Sequence, residues 1–257
     1  MRQALLLVAA CALPSAAAAE DVRLCGGRES QAAADGRLLN HFPYTAAAGA
    51  DLVRSRALSG QCQAVHRNML ADLEALLARA RADPEVGRAI YAISCFRSPQ
   101  YQTRVFCRHG GTLIEQAFEV APPGYSEHAT GLAIDFGDRR AGRCNLEGCF
   151  ASSAVGRWLA RNAPDFGFEM SFPQGNTQGV AFEPWHWRWV GRSEDSASAS
   201  AKAVFAAARE RFPAAGPSAP STVPPRPVIA AAAAPVAGTP ASAAAVPPAA
   251  APSGTGQ

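Results

Sequence analysis

No stretch of this chain is long and apolar enough to span a bilayer, which needs about 20 predominantly apolar residues. The apolar run from Ala4 to Leu13 is too short. A basic stripe interleaved with aromatics is also missing. The formal charge is only +3 and is spread thinly, so nucleic acid is not an expected partner. No Cys-x-x-Cys spacing occurs, which weighs against a cysteine metal site. There is no regular βαβ rhythm, which weighs against a doubly wound sheet. Histidine is scarce, with five in 257 residues, so any motif that uses two of them is informative.

The start of the chain reads as an export signal. Met1-Arg2-Gln3 precedes the short apolar run, and Pro14 to Ala19 ends in an Ala-x-Ala pattern before Glu20. Residues 1–19 are then a signal peptide, and the protein is expected in the periplasm or otherwise exported. A competing reading takes Val8-Ala9-Ala10-Cys11 as a lipoprotein box, although few apolar residues precede Cys11. From Pro213 to Gln257 the chain is almost entirely Ala, Pro, Ser, Gly, Thr and Val, with Arg226 its one charge and no aromatic. Such a segment cannot bury enough apolar surface to offset its ordering entropy, so it is expected to be a disordered tail. Residues 20–212 remain as one domain with a single core. No feature of the sequence specifies an oligomeric state.

Within the domain, Val65, Met69, Leu70, Leu73, Leu76 and Leu77 recur at helical spacing and predict a helix over Gln61 to Ala82, ended by Asp83-Pro84. Ala89 to Phe96 reads as a strand, and Ser98 to Arg108 as a helix that Gly110-Gly111 terminates. Leu132 to Phe136 reads as a buried strand. Ser152 to Asn162 reads as a helix capped by Ser152 or Ser153. Phe166 to Phe172 and Trp187 to Val190 look like further strands. Short strands among helices predict an α+β fold.

Whichever way the leader is cut, Cys25, Cys62, Cys95, Cys107, Cys144 and Cys149 are left unmodified. An even count in an exported chain favours disulfides, and six cysteines allow 15 pairings. Cys144–Cys149, flanking a Gly-containing loop, is the first expectation; Cys25–Cys62 and Cys95–Cys107 follow.

Two stretches carry the chemistry: Ser126-Glu127-His128-Ala129-Thr130-Gly131-Leu132-Ala133-Ile134-Asp135 and Glu183-Pro184-Trp185-His186. His128, Asp135 and His186 offer two imidazoles and a carboxylate, and Glu183 is a spare carboxylate. That is the composition of a catalytic zinc site, with three protein ligands, one position for water and a base to activate it. On one straight strand an odd separation would put His128 and Asp135 on opposite faces, so the chain must turn between them, at Thr130-Gly131. Asp135 lies among apolar neighbours, where a carboxylate is costly unless paired or metal-bound. Alternation puts Trp185, Trp187 and Trp189 on one side of a strand, with His186 and Arg188 on the other. The bland alternative is a loop-capping Asp, a surface His128 and a Trp-rich core strand with an incidental histidine.

The pattern Ser-x-His-x-x-Gly-x-Ala-x-Asp followed by Glu-x-Trp-His resembles the D-alanyl-D-alanine carboxypeptidases of the vancomycin-resistance (VanY) type, zinc peptidases grouped with lysostaphin and the hedgehog fold. The likeness covers Ile90 to Gly191 and includes Arg97-Ser98, Gln102, Trp158-Leu159 and Gly167-Phe168. It implies a small, mostly antiparallel sheet flanked by helices and one Zn2+ per chain held by His128, Asp135 and His186. It implies Glu183 as catalytic base and Arg97 as the cation that stabilises an oxyanion or grips a substrate carboxylate. Ser126 and Gln102 match substrate-facing positions. His41, His66 and His109 match nothing functional and are expected to be surface or helix histidines.

The implied substrate is the D-Ala-D-Ala end of peptidoglycan stem peptides. The same machinery would serve an L,D-carboxypeptidase or a peptidoglycan endopeptidase. A non-catalytic wall-binding module would be marked by loss of Glu183 or a ligand, and all are present. The chain departs from the family at Pro99, where an aromatic is usual, at Ser171-Phe172-Pro173 in place of Arg-Tyr-Pro, and in a shorter loop from Gln174 to Gly179. These changes bear on substrate preference rather than on the ligands.

Overall fold

A computed structural model describes residues 21–58 and 62–214. The expected export signal and nearly all of the low-complexity tail lie outside the described residues. The described residues start with a hairpin of β1 (Asp21–Arg23) and β2 (Glu29–Gln31), and a two-residue ladder joins β3 (Leu52–Val53) to β4 (Val65–His66). Helix α1 (Arg67–Ala82) begins later than apolar spacing predicts. Residues 65–66 are engaged in the ladder, and His66 caps the helix by accepting the Asn68 N–H. Its end at Asp83-Pro84 is as expected.

The sheet that matters is four-stranded and wholly antiparallel, with β5 (Ile90–Ser94), β6 (Ala133–Asp138), β7 (Phe168–Met170) and β8 (His186–Trp189) in the order β5-β6-β8-β7. Helices α2 (Pro99–Phe106) and α3 (Leu113–Glu119) lie between β5 and β6 in sequence, and α4 (Ala154–Asn162) between β6 and β7. The last helices among the described residues are α5 (Ser196–Val204) and α6 (Ala206–Arg211). This is the α+β architecture the sequence implies. Ser153 caps α4 as expected, and Ser98, expected inside the second helix, instead caps α2 from just before it. The strand expected from Phe166 shrinks to three residues, because Gly167 adopts a left-handed φ of 76° just before it. Helix α3 is not among the expected helices; the Thr112–Glu115 capping box is its clearest sequence signal.

Strand alternation divides the sheet into two working faces. Ile134, Phe136, Trp187 and Trp189 belong to the main core with Met69, Leu73, Leu76 and Leu77 of α1 and Val155, Trp158 and Leu159 of α4. Fully burying one such side chain stabilises by roughly 1.5–3 kcal/mol. The Trp158 indole N–H also donates to Asp83, tying α4 to the end of α1. Asp135, His186 and Arg188 occupy the other face.

The Cys144–Cys149 disulfide forms as expected, but the other two pairings are corrected to Cys25–Cys107 and Cys62–Cys95. The first hairpin packs on α2 through a second cluster of Leu24, Leu38, Phe106 and Ala117, which carries Cys25 to Cys107. The Phe96 N–H donates to the Ala64 carbonyl, which sets Cys62 beside Cys95. Packing between distant segments decides the pairing, and proximity in sequence does not. His41 is a second correction, being buried rather than on the surface.

Candidate metal and catalytic site

His128 sits in a tight helical turn, Glu127–Thr130, that Gly131 ends with φ of 68°. A Cβ at Gly131 would lie 2.9 Å from a Leu52 methyl and 3.0 Å from the His66 nitrogen, so both conformation and space demand glycine. The expected turn between His128 and Asp135 is therefore present. Asp135 is the third residue of β6 and stands in register with His186 on β8. Opposite it on β5 the ladder shifts by one residue between Ala92 and Ser94. Such bulges re-aim side chains beside functional sites.

The donor atoms converge. His186 Nδ1 lies 3.0 Å from Asp135 Oδ1, and His128 Nε2 lies 3.2 Å from Asp135 Oδ2. One donor atom from each of the three residues falls within 4.8 Å of the others, and all three residues are buried. His128 donates its Nδ1–H to the Cys95 carbonyl at 2.7 Å, which leaves Nε2 with a lone pair facing the cluster. That nitrogen is buried and has no hydrogen-bond partner. Two imidazole nitrogens and one carboxylate around such an orphan fit a divalent metal ion. Among the described residues no other group of three or more ligating side chains is so arranged.

Glu183 approaches from the turn before β8, with Oε2 3.8 Å from His186 Nδ1. Burial, reinforced by Asp135 and Glu127, pushes its carboxyl up to about 7, in the range suited to taking up and releasing a proton near neutrality. Burial and the Arg97 charge push His128 down to about 4. Asp135 is held well below the usual carboxylate range, since the two imidazoles outweigh the cost of its burial. His186 goes the other way: burial opposes its charge, but hydrogen bonds with Asp135 and Glu127 carry it up to about 10.

Arg97 follows β5 and donates its backbone N–H to the His128 carbonyl. Its guanidinium reaches to 4.0 Å from Asp135 Oδ2. Five of the seven sequence-identified residues, His128, Asp135, His186, Glu183 and Arg97, are therefore brought together. Gln102 and Ser126 are both buried rather than on open surface. Gln102 donates to the Ala121 carbonyl, and its own amide oxygen has no partner. Sequence reasoning overlooked Glu127, which accepts a 3.0 Å hydrogen bond from His186 Nε2. The available signal was a glutamate beside a candidate ligand histidine, two residues before Ala129-Thr130-Gly131. Phe172, at the position of a family departure, packs its ring on His186 with centroids 5.0 Å apart.

The family model for VanY, D-alanyl-D-alanine carboxypeptidase, matches residues 63–192. The chain is 43% identical over 75 residues to the D-alanyl-D-alanine carboxypeptidase of Enterococcus faecalis, covering 28% of this chain and 25% of that protein. It is 32% identical over 109 residues to the bifunctional D-Ala-D-Ala dipeptidase and D-Ala-D-Ala carboxypeptidase VanXYC of Enterococcus gallinarum, covering 40% of this chain and 56% of that protein. The match thus spans from a quarter to somewhat over half the length of these relatives. Among solved structures, the LdcB LD-carboxypeptidase aligns with a TM-score of 0.50 at 28% identity, over 64% of this chain and 76% of that one.

Proposed function

The chain belongs to the VanY family of D-alanyl-D-alanine carboxypeptidases, and we propose that it is a zinc-dependent peptidase that removes the terminal D-Ala of peptidoglycan stem peptides. The observation that carries this reading is the buried cluster of His128, Asp135 and His186 with an unpartnered ring nitrogen at its centre and Glu183 at its edge. Bound by these three residues, zinc would polarise the scissile carbonyl and make water more acidic. Glu183, with its carboxyl near neutrality, takes the proton of the attacking water and returns it to the leaving amine. Arg97 supplies a permanent positive charge beside the reacting centre. A guanidinium suits an oxyanion or, through its fork of donors, a terminal carboxylate, which supports cleavage at a peptide end. The export signal read at residues 1–19 fits a substrate outside the cytoplasm.

The likeness to the LdcB LD-carboxypeptidase supports a second reading, in which the bond cleaved is L,D rather than D,D. Product masses from zinc-loaded protein incubated with defined muropeptides separate the two. Loss of one alanine from pentapeptide alone supports the D,D reading, whereas loss from tetrapeptide supports the L,D reading. Cleavage inside a cross-link would make the protein an endopeptidase. Product formation unchanged by EDTA would overturn the metal mechanism itself.

A further inference from the structure

Glu127 is buried, yet it is a charged side chain that accepts four donors. His186 Nε2 at 3.0 Å and the Ser171 hydroxyl meet its Oε2, while Arg188 Nη1 at 2.9 Å and the Tyr44 hydroxyl at 3.2 Å meet its Oε1. The chain of charges continues outward, because Arg188 Nε and Arg209 Nε both donate to Glu169 Oε1, at 2.7 and 2.9 Å. Phe205 completes the enclosure, lying under the Arg188 guanidinium and edge-on to Tyr44. Tyr44 precedes and Phe205 and Arg209 follow the family-matched residues 63–192, so both flanking segments of this chain close around Glu127.

A buried ion pair is weak evidence for stability, since apolar packing of equal volume often does as well. Geometry at His186 offers a different reason for this one. In the neutral imidazole that binds a metal, the nitrogen without the N–H presents the lone pair, so an acceptor for one N–H fixes which nitrogen that is. We propose that Glu127 is a positioning residue for the metal site: by accepting the Nε2–H of His186 it turns the Nδ1 lone pair toward Asp135 and His128, and Tyr44 and the Arg188–Glu169–Arg209 chain hold it in place. This rests on the reading of His128, Asp135 and His186 as metal ligands.

Glu127→Gln tests it with little change of volume. One oxygen becomes an NH2 donor, and Arg188 can only donate, so the new donor turns toward His186. It then opposes the Nε2–H that the metal-ready ring requires. Zinc affinity, measured by competition with a chromophoric chelator, is expected to fall about 10–100-fold, the range for losing such an outer partner. In zinc-loaded wild-type protein, a long-range 1H–15N spectrum is expected to show His186 protonated at Nε2 and not at Nδ1, with the Nε2–H resonance lost or shifted in the variant. A merely structural role would leave that resonance in place. A wild type that binds no zinc sinks both the site and this inference. One zinc per wild-type chain with unchanged affinity in Glu127→Gln overturns the inference alone. Should the variant fail to fold, a wild-type His186 protonated at Nδ1 overturns it equally.

Discussion

Asp135 and His186 face each other directly across the β6–β8 ladder, Oδ1 to Nδ1 at 3.0 Å, while the other oxygen of the same carboxylate reaches His128. Backbone register therefore sets the spacing of two donors, and a slip of one residue would turn the donor on the slipped strand to the apolar face. Asp135→Asn keeps the shape and loses the charge. Its zinc affinity is expected to fall by more than the roughly 10–100-fold typical of an outer-shell partner. Chelator competition measures this, and an affinity within twofold of wild type would remove Asp135 from the ligand set.

Glu183 is a separate case, because its carboxylate lies at the edge of the donor cluster and is pushed up by burial. Glu183→Gln is expected to retain one zinc per chain and to lose about 10²–10⁴-fold in kcat, the usual worth of a positioned acid/base. Metal content and turnover must be measured on the same preparation. Loss of zinc along with activity would make Glu183 a ligand instead of a base.

The grouping of His128, Asp135 and His186 was legible in the sequence through their two motifs and the family resemblance, and the turn at Gly131 and the strand alternation around His186 follow short-range rules. Glu127 was illegible because its importance depends on Ser171, Arg188 and Tyr44, which come from three distant segments. The same holds for Cys25 and Cys62, whose partners were set by how the first hairpin and the β4 segment pack. His41 offered no periodic signal at all. It lies outside the regular helices and strands and is buried by contacts with Ala117 and Phe172.

The three disulfides are expected to separate stability from function. Their sequence separations are 82 for Cys25–Cys107, 33 for Cys62–Cys95 and 5 for Cys144–Cys149. In the chain-entropy account, stabilisation rises with loop length, so double Cys→Ala variants should lose thermal stability in that order. Zinc affinity should follow a different order. Only Cys62–Cys95 lies directly behind one of the candidate ligands, since the Cys95 carbonyl accepts the His128 Nδ1–H. Its removal should weaken zinc binding, while Cys144→Ala with Cys149→Ala leaves it unchanged. Equal zinc affinity in all three variants would show that the disulfide does not support His128.

His41 makes acid stability measurable at one residue. Burial pushes its imidazole down to about 4, against the stabilising effects of the Ala117 carbonyl and Glu127. In the unfolded chain it titrates near its ordinary value of about 6.5. Between these values the unfolded state holds one more proton, so stability falls as pH drops through that window and this contribution is flat below it. The slope is about 1.4 kcal/mol per pH unit for one proton, on the order of 3 kcal/mol across the window. His41→Gln retains a donor for the Ala117 carbonyl and removes the titration. Urea unfolding of wild type and variant from pH 7 to pH 4 should give curves that converge on acidification, the wild type losing stability more steeply. Parallel curves would mean that His41 is protonated in the folded protein.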